Sequence, residues 1–194
     1  IVEAPYFDLA AKPIGGDNQD GYVLCTGNVC ERKNQVNLAK ACLTAGHRLV
    51  IIGNVLTGEE RYGEALARII QGQESIRWLP GMPPGSPDLV RAYHECGVCA
   101  LPSYDESQPV SLLEAAAARK PLLIGDRLYA RQKYYLNACL VEPGSETSIV
   151  QGLRAIRADP ARHVPPLEYL DECRSERAGA AYKRAFEIAQ SMTR

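Results

Sequence analysis

Several things are missing from these 194 residues, and each absence closes a class of function. There is no excess of positive charge. The formal net charge is −1, so nothing draws the chain to nucleic acid or to an anionic membrane surface. No apolar run reaches the roughly 18 residues that a membrane-spanning helix needs, and no secretory signal peptide is visible. No G-x-G-x-x-G follows the first apolar run, which excludes a NAD-type dehydrogenase. Cys96-x-x-Cys99 has the spacing of zinc ligands, but no second cysteine or histidine pair accompanies it and His94 lies too close, so no metal is read there. Internal repeats and low-complexity tracts are also missing.

What is present is ordinary globular material. Hydrophobic residues make up 46% and charged ones 23%, enough for a core and too apolar for disorder. The seven cysteines are an odd count. Cys25 and Cys99 sit inside apolar runs and read as buried reduced thiols of a cytosolic protein. The chain begins at Ile1, which leads us to expect a piece of something longer.

Residues 1–20 read as a linker, with a turn-rich stretch from Lys12 to Asp17. A regular alternation then starts. Short apolar runs at 22–26, 48–52, 75–79, 97–101, 121–124 and 138–141 read as strands. Between them, 35–44, 59–71, 87–96 and 108–119 read as helices, and 146–158 reads as one more. Runs of four or five apolar residues without alternation suit strands buried on both faces. Alternating with helices, they predict a Rossmann-like α/β domain over 21–160, with a parallel six-stranded sheet and helices on both faces. After a proline-rich break at Pro160, Pro165 and Pro166, a helix is expected over 167–192, within a terminal segment 161–194.

In an open parallel sheet, ligands bind beyond the carboxyl ends of the strands, near the switch in strand order. The loops to inspect are therefore 27–34, 53–58, 80–85, 102–109 and 125–129. The loop after the fourth strand is the richest. Ser107 is placed to N-cap the next helix and Pro109 suits its first turn. That helix start offers backbone N–H groups to an anion such as phosphate. Glu106 precedes it and Glu114 lies two turns on. From spacing alone the two carboxylates fit a solvated surface or a ligand-binding pair equally.

The stretch 102–121 runs Pro102-Ser103, Glu106, seven residues, Glu114 in a Leu113-Glu114-Ala115 run, then small residues and Pro121. It resembles the signature of the family-four retaining glycosyltransferases, which have the GT-B architecture of two Rossmann-like domains facing across a cleft. The resemblance covers about 22–160 and includes the turn Glu142-Pro143-Gly144. It implies that the chain is one half of a GT-B enzyme that transfers a sugar from a UDP- or GDP-linked nucleotide sugar to a glycan or lipid acceptor. Glu114 would take the ribose hydroxyls and Glu106 the donor sugar. The backbone amides of Ser107, Gln108 and Val110 would face the diphosphate. The resemblance further implies no metal, a missing N-terminal Rossmann domain of the same polypeptide on which the last helix would pack, and a cytoplasmic location, peripheral at the inner membrane through that domain.

The sequence departs from the family in two loops. After the first strand the family reads Gly-Arg, four residues, Lys-Gly, and both cations grip the diphosphate. Here Gly27 and Lys33 match, but the arginine position holds Asn28, which is neutral. Arg32 reads as a solvated residue at a helix start in preference to a substitute cation that swings in and shares the site with Lys33. After the fifth strand, Gly125-Asp126-Arg127-Leu128-Tyr129 replaces the family's Gly-Gly turn and leaves the sugar open. Trp78, at the end of the third strand where the family holds the base, reads as core in preference to a stacking partner of that base. The loss of a cation at Asn28 also motivates a second reading, a non-catalytic nucleotide-binding or interaction module of the same fold.

Overall fold

The computed structural model describes residues 21–173, and beyond them residues 179–180, 183–184, 186–188 and 190. The expected linker 1–20 lies outside the described residues, as do residues 174–178, 181–182, 185, 189 and 191–192 of the expected terminal helix 167–192.

The six apolar runs form six parallel strands: β1 (Val23–Thr26), β2 (Leu49–Ile52), β3 (Ile76–Leu79), β4 (Val98–Leu101), β5 (Leu122–Gly125) and β6 (Cys139–Val141). Their order across the sheet is β3-β2-β1-β4-β5-β6. Every residue of β1, β2, β4 and β5 is buried, whereas the edge strands β3 and β6 are partly open. The unbroken apolar runs follow from this, because a central parallel strand has no solvent face to make polar.

The helices are α1 (Gln35–Ala45), α2 (Glu60–Ile70), α3 (Pro87–Glu95), α4 (Val110–Ala117) and α5 (Glu146–Ala158). Helix α1 packs on α2 and α5 on one face of the sheet, and α3 and α4 cover the other. Ser86 caps α3 by accepting from the Leu89 N–H, with Pro87 in the first turn, and Ser145 caps α5 in the same way.

Helix α4 begins later than expected. Its N-cap is Pro109, with no side-chain cap, rather than Ser107. The reason is steric: a residue before proline is pushed out of the helical region, so Gln108 cannot open the helix and Ser107 stands two residues too early. The terminal segment also departs. It enters as a 3-10 turn, Leu167–Cys173, rather than an α-helix, and the described residues between 179 and 190 are helical as expected. Pro165 and Pro166 just before it have no N–H, and the turn packs against α4 with Leu170 on the core.

The order β3-β2-β1-β4 contains the switch point: the chain winds outward from β1 to β3, then returns to start β4 on the other side of β1. The loops that follow β1 and β4 therefore diverge and leave a crevice above the sheet.

Candidate functional site

A cavity of about 260 Å³ occupies that crevice. Its walls include Gly27 and Asn28 after β1, Gly53 and Asn54 after β2, Gly81 and Met82 after β3, and Val110, Ser111 and Glu114 of α4. Helical spacing explains how α4 serves two ends at once. Val110, Ser111 and Glu114 stand at i, i+1 and i+4 on the face turned to the cavity, while Leu112, Ala115 and Ala116 are fully buried on the other. The first N–H groups of α4 have no carbonyl one turn back to bond, so an anion at this end of the cavity meets free donors and the positive end of the helix.

The loop after β1 is built for close approach. Gly27 has φ +126°, a backbone shape that a side chain resists, and the Lys33 side chain passes 3.2 Å from where a Cβ would stand. A Cβ on Gly53 would lie 1.9 Å from the Gly27 carbonyl oxygen, so only glycine lets the β1 and β2 loops touch. The Val29 N–H donates to Asn54 and the Leu56 N–H donates to Val29, which prolongs the ladder past both strands. Asn28 is exposed and lines the cavity, and its carbonyl accepts from the Gln35 side chain.

Lys33 and Glu106 meet beside this loop. Lys33 Nζ donates to Glu106 Oε1 at 2.8 Å, and the two side chains are 12% and 8% exposed. The Ser103 hydroxyl donates to the same oxygen at 3.0 Å. Arg32 is exposed, as expected, yet it is not free of partners: its Nη1 is 2.8 Å from Glu106 Oε2 and donates to the Asp105 carbonyl at 2.6 Å. The cause is a fold-back of the β4 loop, in which the Tyr104 N–H donates to the Arg32 carbonyl and brings residues 73 apart into register. Burial pushes the Glu106 carboxyl up, but the hydrogen bonds and charges of Lys33 and Arg32 outweigh it and hold the group below its ordinary value.

Glu114 is half-buried, and its Oε2 accepts from the Tyr93 hydroxyl at 2.7 Å. The sequence-predicted residues thus fall into two groups. Gly27, Asn28, Val110 and Glu114 share the cavity, and Lys33 and Glu106 form an ion pair at its edge. Ser107 and Gln108 are exposed on the approach to α4 and do not line the cavity, and the Ser107 carbonyl accepts from Gln132. Trp78 is half-buried against the core, and its indole N–H donates to the Gly53 carbonyl at 2.8 Å.

Sequence reasoning missed Thr26, Asn34 and Tyr93. Asn34 is buried at φ 63° and donates from its side chain to the carbonyls of Pro102 and Pro143 at 3.0 and 2.7 Å. Asparagine tolerates this left-handed shape better than most residues, so it can stand where the family motif has glycine. The signal was available in that motif. For Tyr93 there was none, since an aromatic on an amphipathic helix reads as core.

The loop after β5 forms a 3-10 turn, Leu128–Arg131. The Tyr129 hydroxyl accepts from the Gly125 N–H and donates to the Leu101 carbonyl, and Arg127 grips Glu142 with two hydrogen bonds. Among the described residues no three His, Cys, Asp or Glu side chains are grouped to hold a metal ion, and no helix is long and apolar enough to cross a membrane.

A six-stranded parallel sheet with helices on both faces and a crevice at its switch point is the architecture of one Rossmann-like half of a GT-B protein. The chain belongs to the family described as Glycosyl transferases group 1, which matches residues 8–172. Solved structures of similar fold include the Anabaena protein Alr3699/HepE in complex with UDP and glucose, at 18% identity and a TM-score of 0.70 over 90% of this chain and 49% of that one. An alpha,alpha-trehalose-phosphate synthase (UDP-forming) from Burkholderia vietnamiensis gives 16% identity and a TM-score of 0.71 over 90% and 45%. The C-terminal domain of a glycosyl transferase group 1 family protein (LpcC) from Francisella tularensis gives 17% identity and 0.62 over 74% and 79%. The chain spans about half the length of the first two. No curated protein sequence matches it.

Proposed function

We propose that this chain is the donor-binding half of a retaining glycosyltransferase that moves a sugar from a UDP- or GDP-linked nucleotide sugar to a glycan, lipid or other acceptor. The observation that carries the reading is the convergence of Gly27, Asn28, Val110 and Glu114 on one cavity beside the Lys33–Glu106 pair. In this reading the diphosphate lies at the start of α4, the ribose on Glu114 and the sugar toward Glu106. The amides of Val110 and Ser111 face the diphosphate from the helix start, with Ser107 and Gln108 on the approach. The UDP and glucose bound by the Anabaena protein of similar fold support a nucleotide sugar as the ligand class.

The chemistry asks for charge. As the bond from the anomeric carbon to the diphosphate oxygen breaks, negative charge gathers on the leaving group and positive charge on the sugar. Lys33 and the helix N–H groups meet the first, at roughly 3 kcal/mol per well-placed donor. The Glu106 carboxylate meets the second. No resident metal is required by this scheme, so a chelator should leave transfer unchanged.

Titration calorimetry of the full polypeptide with UDP- and GDP-sugars tests the reading, and no heat from any of them would sink it. The 194-residue chain alone should bind donor weakly and transfer little, because the acceptor side belongs to a second Rossmann domain. Full-rate transfer by this chain would contradict that division. Asn28 favours one alternative, a module that kept the fold and the nucleotide but lost the reaction. Donor hydrolysis by the full polypeptide that disappears in Glu106→Ala excludes that alternative.

A further inference from the structure

We infer that Tyr93, backed by Thr26, is a positioning residue that aims Glu114 at the ribose and thereby sets the preference for ribonucleotides over deoxyribonucleotides. The inference rests on the assignment of Glu114 to the ribose made above.

Tyr93 lies on α3 and is 4% exposed, and Thr26 is the last residue of β1 and is 6% exposed. The Tyr93 hydroxyl stands 2.7 Å from Glu114 Oε2 and 2.8 Å from Thr26 Oγ1. An ionised carboxylate only accepts. The single phenol proton therefore goes to Glu114, and the Thr26 hydroxyl turns its own hydrogen to the Tyr93 oxygen. The result is a one-way chain, Thr26 to Tyr93 to Glu114, in which each bond polarises the next. Burial raises the phenol well above its ordinary value, so Tyr93 remains a donor across the working pH range.

Glu114 needs this support because of where it stands. It lines the nucleotide cavity and also a neighbouring, mostly apolar cleft of about 300 Å³ between α3 and α4. A glutamate side chain has the freedom to enter either. The Tyr93 hydroxyl, itself on the wall shared by both clefts, fixes Oε2 and leaves Oε1 as the acceptor presented to a ligand. A vicinal diol then donates twice to one fixed oxygen, and a sugar that lacks one hydroxyl leaves one of its two lone pairs unpaired. That penalty is what discriminates between the two sugars, and it exists only while the carboxylate cannot turn away.

The test is calorimetry of the full polypeptide with UDP, GDP and their 2′-deoxy and 3′-deoxy counterparts, for wild type, Tyr93→Phe and Glu114→Gln, with thermal melting of each. In Tyr93→Phe the ribo-over-deoxy preference should fall about tenfold, the lower range of one charge-assisted hydrogen bond. Donor KM should rise while kcat holds, because binding to ground and transition states is lost alike. An unchanged preference in Tyr93→Phe, even with a lowered melting temperature, would reduce Tyr93 to packing and overturn the inference. If Glu114→Gln loses the preference while Tyr93→Phe keeps it, only the role of Tyr93 fails. If Glu114→Gln keeps it, the assignment of Glu114 to ribose fails, and the inference with it.

Discussion

Replacing Glu106 by glutamine should separate stability, donor binding and transfer in one variant. The carboxylate is 8% exposed and accepts from Lys33 and Ser103 on one oxygen and from Arg32 on the other. Lys33 is 12% exposed and Arg32 45%, so the lysine half carries most of the energy and the arginine half is largely screened. A charge-assisted hydrogen bond contributes about 1.5–3 kcal/mol. Glutamine keeps one acceptor for Lys33, so Glu106→Gln should cost about 2 kcal/mol at pH 7. Lys33→Met should cost a similar amount, and the double variant less than the sum by about 1 kcal/mol or more. The pH dependence has a definite sign. The folded Glu106 carboxyl is held below its ordinary value, so its contribution is fully present above the unfolded value of about 4.3 and is lost as pH falls through the folded one. The gap between wild type and Glu106→Gln should be constant from about pH 6 to 8 and close below about pH 4. Denaturant unfolding across that range measures it. In the same variant UDP should bind more tightly, because Lys33 and Arg32 no longer share their charge with a carboxylate, while transfer falls. Additive stability effects within about 0.3 kcal/mol would refute the coupling, and weaker UDP binding would refute the idea that Glu106 competes for the cations.

Gly53→Ala should be among the most damaging small substitutions, at about 3 kcal/mol or more, since its Cβ would stand 1.9 Å from a backbone oxygen. Gly144→Ala, whose Cβ meets nothing nearer than 3.5 Å, should stay within about 0.5 kcal/mol of wild type. Urea unfolding compares the two. At position 34, Asn34→Gly keeps the left-handed backbone and loses two hydrogen bonds, for about 1–2 kcal/mol, while Asn34→Ala adds backbone strain of about 1 kcal/mol more. The same assay should order them wild type, glycine, alanine. Asn28→Arg adds a cation to the cavity wall and should tighten UDP binding by about tenfold in calorimetry, and no gain would mean that Asn28 does not face the diphosphate.

How much of this was legible in the sequence depends on the range of each interaction. The strands were, because β1, β2, β4 and β5 are buried on both faces and leave an unbroken apolar run. Gly27 and Asn28 lie in a loop that a parallel sheet turns to the crevice, whereas Val110 and Glu114 were pointed to by the family resemblance and not by spacing. The helix start after β4 was not, because Ser107 satisfies a local capping rule that Pro109 overrides two residues on. The ion pair of Arg32 was hidden for a different reason. Exposure is the usual fate of an arginine, and its partners Asp105 and Glu106 lie over 70 residues away, brought in by a loop whose path no periodicity records. Tyr93 was hidden because its ring behaves as core and only its hydroxyl reaches the site.

The site's tethers bear on how a donor would be received. Asn34 joins the β1 loop to the loops after β4 and β6, the Tyr104 N–H joins the β4 loop to Arg32, and the Trp78 indole joins β3 to Gly53. Each ends on a backbone carbonyl, and the Asn34 pair is buried, so the loops cannot separate without breaking several hydrogen bonds together. The cavity wall is therefore set before ligand arrives, and little ordering remains for binding to supply. Charge is the one quantity left to adjust. Arg32 and Lys33 against Glu106 leave the cluster with a net charge of +1, and neutral Asn28 adds nothing to it. If the diphosphate lies at the start of α4 as proposed, that single positive charge attracts it in the ground state, and attracts it more strongly as the sugar leaves and negative charge builds on the oxygen. A second unpaired cation would raise affinity for donor and for the nucleotide product alike. Holding one of the two in reserve on Glu106 keeps the bound product weaker, and it gives the sugar a carboxylate at the point where positive charge develops.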